Sequence, residues 1–226
     1  MHRVQWFKVE WNKHYHKVID GIVSRQYNDN ISYGFKLYKR REKFLEASYI
    51  TKRENEETIE NPFTNEVTIY SKIVYEQTKF ILESNSLGIE LINPPRSVQK
   101  LLNNFASISN FNITINQLNL NLIVLIESLK IEFDEFKINM LECKDIHLQH
   151  NTTVKVIAKN DLLDVSQDLK GFLLDKEYTV EKMKCTFVIN KIKSHFEFTN
   201  KGQLKTNKKN IELLVPIIKK NILSSL

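Results

Sequence analysis

The chain has 226 residues, of which 42% are hydrophobic and 27% charged, so it is long enough for one large or two small domains with real cores. Only 5 glycines and 4 prolines argue against a disordered or linker-rich chain. The longest apolar run is interrupted by Asn119 and Asn121 and is too short to span a bilayer, so we expect no membrane association. The first residues lack a secretion-signal layout, which predicts a cytoplasmic location.

The formal net charge is +6, and the basic residues concentrate near both ends of the chain. Residues 1–43 carry ten Lys and Arg against four Asp and Glu, and residues 191–220 carry eight Lys against two Glu. Such a bias is compatible with a surface that contacts a phosphate backbone. Lysine- and asparagine-rich chains also arise from AT-rich genomes, so charge alone does not decide the function.

The N-terminal part predicts a mostly antiparallel sheet with one helix. Apolar residues at helical spacing place the helix at about Lys13 to Arg25. Alternating or β-branched runs predict strands near Phe7 to Trp11, Tyr33 to Tyr38, Phe44 to Thr51, Val67 to Tyr75, Phe80 to Leu82 and Gly88 to Ile92. The alternation from Val67 to Tyr75 indicates one buried and one solvated face, and the polar segment Lys52 to Asn61 predicts a solvated hairpin tip.

Asn93-Pro-Pro-Arg-Ser97 is the predicted domain boundary, because two prolines prevent strand pairing there. This linker, residues 93–97, separates an N-terminal domain, residues 1–92, from a C-terminal domain, residues 98–226. We expect Ser97 to cap a helix that runs to about Ala106. Strands follow in the prediction at Phe136 to Leu148 and Thr153 to Ala158, joined near His150. Asn160 then caps a helix through Leu174.

The most strongly patterned stretch runs from Tyr178 to Leu223. It predicts a long strand to Asn190, a short strand from His195 to Phe198, a turn at Asn200 to Gly202 and another strand to Thr206. A closing amphipathic helix follows, capped by Asn207, in which Pro216 predicts a kink or break near Leu213.

Part of this pattern recurs 65 residues upstream, where Thr114 corresponds to Thr179 and Leu122 to Phe187. Each copy follows a helical pattern, so the spacing predicts a duplicated helix-plus-strands unit stacked in one sheet. A coincidence between β-prone segments is the alternative. The segment Leu118 to Leu129 fits a strand by alternation and a helix by its leucine spacing, and the repeat favours the strand. The fold class predicted is therefore α+β and rich in antiparallel strands.

The order helix, "EYTVEKMKCTFVINKIK", "HFEFTNKGQLKT" and closing helix resembles a repeat of the TATA-binding-protein fold. The resemblance covers about Pro95 to Leu223 and rests on element order, with Phe198 and Gly202 as the matching positions. It implies a curved antiparallel sheet with helices on one face. It does not by itself imply TATA recognition, because one fold hosts many functions.

Three functional hypotheses follow. The first is a non-enzymatic module that binds nucleic acid, DNA first among them, without a cofactor or metal. Phe196 or Phe198 would contact bases if they face outward. In this first hypothesis the phosphate contacts would come from Lys39, Arg40, Arg41, Lys43, Lys193, Lys201, Lys205 and Lys208.

The second hypothesis is a protein-interaction subunit of a larger complex.

The third hypothesis is a metal-dependent nuclease, because Asp134 and Glu135-Phe-Lys137 formally match part of a nuclease motif. Such a site needs carboxylates converging from separate strands, and a solvated strand edge explains the same residues. The pair His147 and His150 is too few for a metal site, and no nucleotide-binding or hydrolase motif occurs. Cys143 and Cys185 lie in strand-like runs, as expected of buried free thiols.

Overall fold

The computed structural model describes residues 1–148, 152–173 and 176–225 of the chain. It is an α+β fold with antiparallel strands, as predicted, and it divides into two compact units. The first unit comprises Met1–Lys8, Ser86–Asn93 and Asn116–Leu226, and the second comprises Val9–Asn85 and Pro94–Ile115. Both units are therefore built from separated stretches of the chain, and one crossing point, Asn93 to Pro94, lies in the predicted linker.

The second unit is built on the meander of β2 (Tyr33–Arg41), β3 (Phe44–Glu60) and β4 (Val67–Glu83). Neighbouring strands pair antiparallel, with Phe44 opposite Arg41 on one side and Glu83 on the other. Helices α1 (Tyr15–Ser24) and α2 (Gln99–Ile108) accompany it. Its core centres on the rings of Phe35, Phe80 and Phe105, whose centroids lie 5.1 to 6.3 Å apart.

Beyond this core, β3 and β4 continue as a long two-stranded ribbon. The predicted hairpin tip at Lys52 to Asn61 is wrong, because Lys52 to Glu60 pairs residue for residue with Tyr75 to Val67. The predicted buried face of Val67 to Tyr75 is also wrong, since Ile69 is 64% and Tyr75 54% exposed. Alternation reports the strand correctly, but a two-stranded ribbon with no layer against it buries neither face.

The first unit is an open antiparallel sheet. Its strand order is β5-β1-β11-β10-β9-β7-β8. The strand bounds are β1 (His2–Glu10, which continues into the second unit), β5 (Gly88–Ile92), β7 (Glu135–His147), β8 (Thr153–Lys159), β9 (Thr179–Ile189), β10 (Ile192–Thr199) and β11 (Gln203–Thr206). A short strand, β6 (Thr114–Gln117), and a 3-10 helix (Lys208–Asn210) complete the strands and short elements.

Helices α3 (Leu122–Glu132), α4 (Ser166–Phe172) and α5 (Ile211–Ser225) of this unit share one apolar core with the sheet. Leu129, Leu169 and Ile218 lie in that core together with Met183 and Phe198 of the strands. Because the strand residues of the core belong to one face of the sheet, all three helices cover that face. The expectation of helices on one face holds for this unit.

The strand predicted from Leu118 to Leu129 is wrong, because the chain forms α3 from Leu122. The Asn121 side-chain oxygen accepts hydrogen bonds from the backbone N–H of Ile123 and Val124, which caps the helix. The 65-residue correspondence therefore sets Leu122, a helix residue, against Phe187, a strand residue, although Thr114 and Thr179 both lie in strands.

Several predicted helix ends also need correction. Ser97 does not cap α2, whose N-cap is Val98 without a side-chain hydrogen bond. Asn160 caps the turn at Leu162 and Leu163 rather than α4, which begins at Ser166. Asn207 makes no side-chain cap bond. The expected joining point at His150 and the expected helix end at Leu174 lie outside the described residues.

The predicted break near Leu213 is wrong, because α5 runs through Pro216 from Ile211 to Ser225. A proline removes only one backbone donor, and the buried Leu214, Ile218 and Ile222 hold both halves of the helix against the core. The turn at Asn200 to Gly202 is confirmed, with Gly202 at a φ of +72°.

Candidate nucleic-acid interface

Most charged residues of the first unit's sheet lie on the face that no helix covers. In β9, Met183, Cys185 and Phe187 point into the core, so Lys182 and Lys184 point to the other face. The same alternation in β10 buries Phe196 and Phe198, which are 1% and 0% exposed. Both phenylalanines are thus core residues, and the idea that they contact bases is wrong.

Cross-strand pairing extends this face over five neighbouring strands, β11-β10-β9-β7-β8, a width of about 19 Å at the usual strand spacing. Four glutamates share the face, namely Glu135, Glu142, Glu181 and Glu197, and two aspartates, Asp145 and Asp161, pair with Lys144 and Lys159 at 3.8 and 3.5 Å. We call the set of eight lysines on it the lysine face: Lys137, Lys144, Lys155, Lys159, Lys182, Lys184, Lys193 and Lys205. Positive charge therefore exceeds negative charge there.

Glu197 on β10 organises the centre of the lysine face. Its side chain is 13% exposed, and its oxygens lie 2.9 Å from Lys182 Nζ, 3.0 Å from Lys184 Nζ and 3.8 Å from Lys205 Nζ. Burial opposes ionisation of this carboxyl, but the hydrogen bonds from Lys182 and Lys184 outweigh it and hold the Glu197 pKa below its usual value. The lysines stay 32% to 41% exposed, so their charges face solvent.

A second cluster surrounds Glu181 at the β7–β8 side. Lys155 Nζ lies 2.8 Å from Glu181 and also contacts Glu142, while Lys144 Nζ lies 3.3 Å from Glu181. The hydrogen bond from Lys155 is the main reason that the Glu181 pKa is lowered. In turn, the bonds to Glu142 and Glu181 raise the pKa of Lys155. Both lysines are oriented by their carboxylate partners.

Two of the eight predicted contact residues, Lys193 and Lys205, belong to the lysine face. Lys201 lies in the turn between β10 and β11, and Lys208 begins the 3-10 helix after β11; both are exposed. All four lie in the first unit. The sequence prediction therefore found the edge of the candidate interface at the β10–β11 hairpin.

The other four predicted residues belong to the second unit. Lys39, Arg40 and Arg41 end β2, and Lys43 lies in the turn before β3. All four are exposed, but Arg40 donates to Asp20 at 2.8 Å. Lys39 Nζ lies 5.8 Å from the centroid of the Phe44 ring.

Tyr38, the aromatic residue that precedes this segment, is engaged by neighbouring side chains. Its hydroxyl accepts from the Gln77 side-chain amide at 2.7 Å and lies 3.1 Å from Ser48 Oγ. Lys79 Nζ lies 5.6 Å from its ring centroid. The Lys39–Lys43 segment is therefore a partly neutralised hairpin end with four basic residues, half as many as the lysine face.

The sequence prediction did not include the centre of the lysine face, namely Lys144, Lys155, Lys182 and Lys184. A signal for β9 was present, because Lys182 and Lys184 alternate with Met183 and Cys185 in a strand that was itself predicted. That spacing places both lysines on the face opposite the core. What the sequence could not supply is the strand order, which places β7 beside β9 and β8 beside β7.

The residues of the nuclease hypothesis do not converge on one point. Asp134 Oδ2 accepts the backbone N–H of Asn190 at 3.0 Å, and Lys137 Nζ donates to the Leu162 carbonyl. Glu135 is exposed at the start of β7. Among the described residues, no group of three or more His, Cys, Asp or Glu side chains is placed to hold a metal ion. His147 lies in β7, and His150 is outside the described part.

Both cysteines are free and buried, as predicted, on the core side of β7 and β9. Burial raises the Cys143 pKa to about 11 and raises the Cys185 pKa well above its usual value. A thiol held protonated in this way is a poor nucleophile at neutral pH. Neither cysteine therefore adds chemistry to the lysine face.

Comparison of the chain with models of known protein families finds no family that it matches. Comparison with curated proteins likewise finds no match. Within the described residues, no helix is both long and apolar enough to cross a membrane.

Proposed function

We propose that this protein is a non-enzymatic nucleic-acid-binding module, located in the cytoplasm, that contacts the phosphate backbone through the lysine face. The observation that carries the proposal is the concentration of eight lysines on one helix-free sheet face, where they outnumber the four glutamates and two aspartates beside them. A face about 19 Å wide spans roughly 11 phosphate charges of duplex DNA, at about one charge per 1.7 Å of axis. Several contacts can therefore form at once.

The arrangement supports backbone neutralisation rather than base reading. Phe196 and Phe198, the two residues considered for stacking on bases, lie in the core, so neither can stack on bases from this face. Lysine ammonium groups attract phosphate as point charges and carry little base information. Binding should therefore be governed by charge and by the shape of the nucleic acid.

The direct test is a fluorescence anisotropy titration of the full chain with labelled single- and double-stranded DNA and RNA of about 20 nucleotides. Each is measured at about 50 and 200 mM salt, because this rise in salt weakens the binding of duplex DNA about 3.5-fold for every phosphate contact. We expect binding at low salt that falls steeply at high salt, with intact nucleic acid whether or not magnesium is added. Absence of binding to all four at low salt would refute the proposal.

A role as a protein-interaction subunit is the second candidate, and a separate observation favours it. The β3–β4 ribbon of the second unit exposes apolar side chains that contribute nothing to phosphate binding. The two roles are compatible within one protein, because they use different units.

A further inference from the structure

The two faces of the exposed ribbon, which is formed by Lys52 to Glu60 of β3 and Val67 to Tyr75 of β4, carry different side chains. Its nine residue pairs extend for about 27 to 30 Å at the usual rise of a strand. The chain reverses at Asn61, whose side chain accepts from the Phe63 N–H at 3.0 Å. Phe63 at the tip is 93% exposed. The ribbon therefore holds side chains in fixed rows without a core of its own.

One face of the ribbon carries two parallel rows of different character. The apolar row consists of Val67, Ile69, Ile73 and Tyr75 on β4, which are 49% to 64% exposed. The acidic row consists of Glu54, Glu56 and Glu60 on β3, with Thr58 among them, and it ends at Lys52, whose Nζ donates to the Asp29 carbonyl at 3.2 Å. The pairing sets Glu54 opposite Ile73 and Glu60 opposite Val67, so both rows lie on the same face about 5 Å apart.

The opposite face is different. It carries Arg53, Glu57 and Lys72 among polar neighbours, and Arg53 binds Glu76 at 3.1 Å. Its charges are of mixed sign, and its apolar residues are Ile59 on β3 and Tyr70 and Val74 on β4, with Lys72 between the last two. Because both faces belong to the same exposed ribbon, a substitution on the opposite face is a matched control for one on the face with the apolar row.

An exposed row of large apolar residues marks an interaction site in a soluble protein. The acidic row beside it argues against nucleic acid as the occupant, because phosphates would meet like charges. It also argues against a strand added at the β3 edge: β2 pairs with β3 only as far as Thr51, and the glutamates from Arg53 to Glu60 are the kind of charge that discourages pairing along that edge. A partner lying over the face meets neither objection.

We propose that this face binds an amphipathic basic helix of a partner protein. The apolar stripe of the helix would pack on Val67, Ile69, Ile73 and Tyr75, and Lys or Arg residues flanking that stripe would pair with Glu54, Glu56 and Glu60. The apolar row is about 27 Å long, which matches a helix of about 18 residues. Helix-on-apolar-surface recognition of this kind is a common mode of protein association. The inference is independent of nucleic-acid binding.

The test uses a designed 18-residue peptide of Leu, Ala and Lys with one apolar stripe flanked by Lys. Two control peptides accompany it: one with Glu replacing every Lys, and one with the same composition scrambled to remove the stripe. Each is labelled and titrated with the full chain by fluorescence anisotropy. We expect the basic amphipathic peptide to bind at least 10-fold more tightly than either control.

Matched variants assign the site. Glu54→Lys with Glu56→Lys should weaken the basic peptide at least 10-fold and reverse the preference toward the acidic one. Ile69→Thr with Ile73→Thr, which keeps strand propensity, should weaken the basic peptide at least 10-fold. Glu57→Lys on the opposite face should change binding less than 2-fold. Unchanged thermal melting of each variant confirms that it folds.

Three results would overturn the proposal. The first is equal binding of the acidic and basic peptides, and the second is an equal effect of Glu57→Lys. The third comes from sedimentation equilibrium: self-association of the chain that Ile69→Thr with Ile73→Thr abolishes would identify a second copy as the occupant. A monomeric chain with the expected peptide preference supports the inference.

Discussion

Glu197→Gln is the substitution that most directly separates the structural and binding roles of the lysine face. Glutamine keeps the size of the side chain but removes the charge that holds Lys182 and Lys184 at 2.9 and 3.0 Å. An exposed ion pair contributes about 0.2 to 1 kcal/mol, and hydrogen bonds to buried charges contribute more. Because Glu197 is 13% exposed while the lysines are 32% and 41% exposed, we expect the variant to lose about 1 to 2 kcal/mol at pH 7.

The sign of the pH dependence follows from the lowered Glu197 pKa, which lies below its usual value of 4.5. A carboxyl with a lowered folded-state pKa contributes stability above its unfolded pKa and loses it as the pH falls through the folded value. Urea unfolding of wild type and variant should therefore differ at pH 7 and converge as the pH falls through the folded-state pKa of Glu197. A difference that stays unchanged at low pH would refute the ion-pair explanation, and Glu212→Gln on the exposed side of α5 serves as the control.

The same substitution should strengthen nucleic-acid binding, because it removes one negative charge from the lysine face. An interaction of about 1 kcal/mol between charges 4 Å apart in water corresponds to a gain of up to about 5-fold in affinity at 50 mM salt. Loss of stability together with a gain of affinity is the expected combination. Loss of affinity would show that Glu197 orients the lysines more than it neutralises them.

Two further predictions test the fold by urea unfolding. Leu129→Ala should cost about 2 to 5 kcal/mol and Ile131→Ala less than about 0.5 kcal/mol, because Leu129 is 0% and Ile131 87% exposed on α3; in a strand both would share one face, so equal costs would contradict the helix. Gly202→Ala should cost about 1 to 3 kcal/mol, because Gly202 has a φ of +72° and an added Cβ would lie 2.6 Å from Leu118 Cδ1. An unchanged unfolding midpoint of Gly202→Ala would contradict that turn geometry.

The sequence predicted those elements whose pattern has only one interpretation. The strand beginning at Thr179, the turn at Gly202 and the helix at Lys13 to Arg25 all form close to where their periodicity placed them. The segment Leu118 to Leu129 fits both a strand and a helix by its apolar spacing. The strand prediction is wrong because it gives more weight to the similarity with the distant segment at Thr179 than to a local signal, the capping side chain of Asn121. Local capping is the stronger physical evidence.

Other features depended on contacts that no local pattern contains. The alternation of Val67 to Tyr75 is the same whether a layer covers one face or none, so the exposed ribbon could not be distinguished from a half-buried strand. The lysine face required the order β9-β7-β8, in which β7 pairs with β9 although β7 ends at His147 and β9 begins only at Thr179. The resemblance to the TATA-binding-protein fold stays a prediction.

The measurement that tests the central claim most directly is the salt dependence of duplex DNA binding for two matched double variants. Lys193→Gln with Lys205→Gln removes two charges from the lysine face, whereas Lys17→Gln with Lys100→Gln removes two exposed charges from α1 and α2. We expect the first pair to reduce the slope of log affinity against log salt by about 2 and the second pair to leave it unchanged. Equal slopes for both pairs and wild type would contradict phosphate binding by the lysine face.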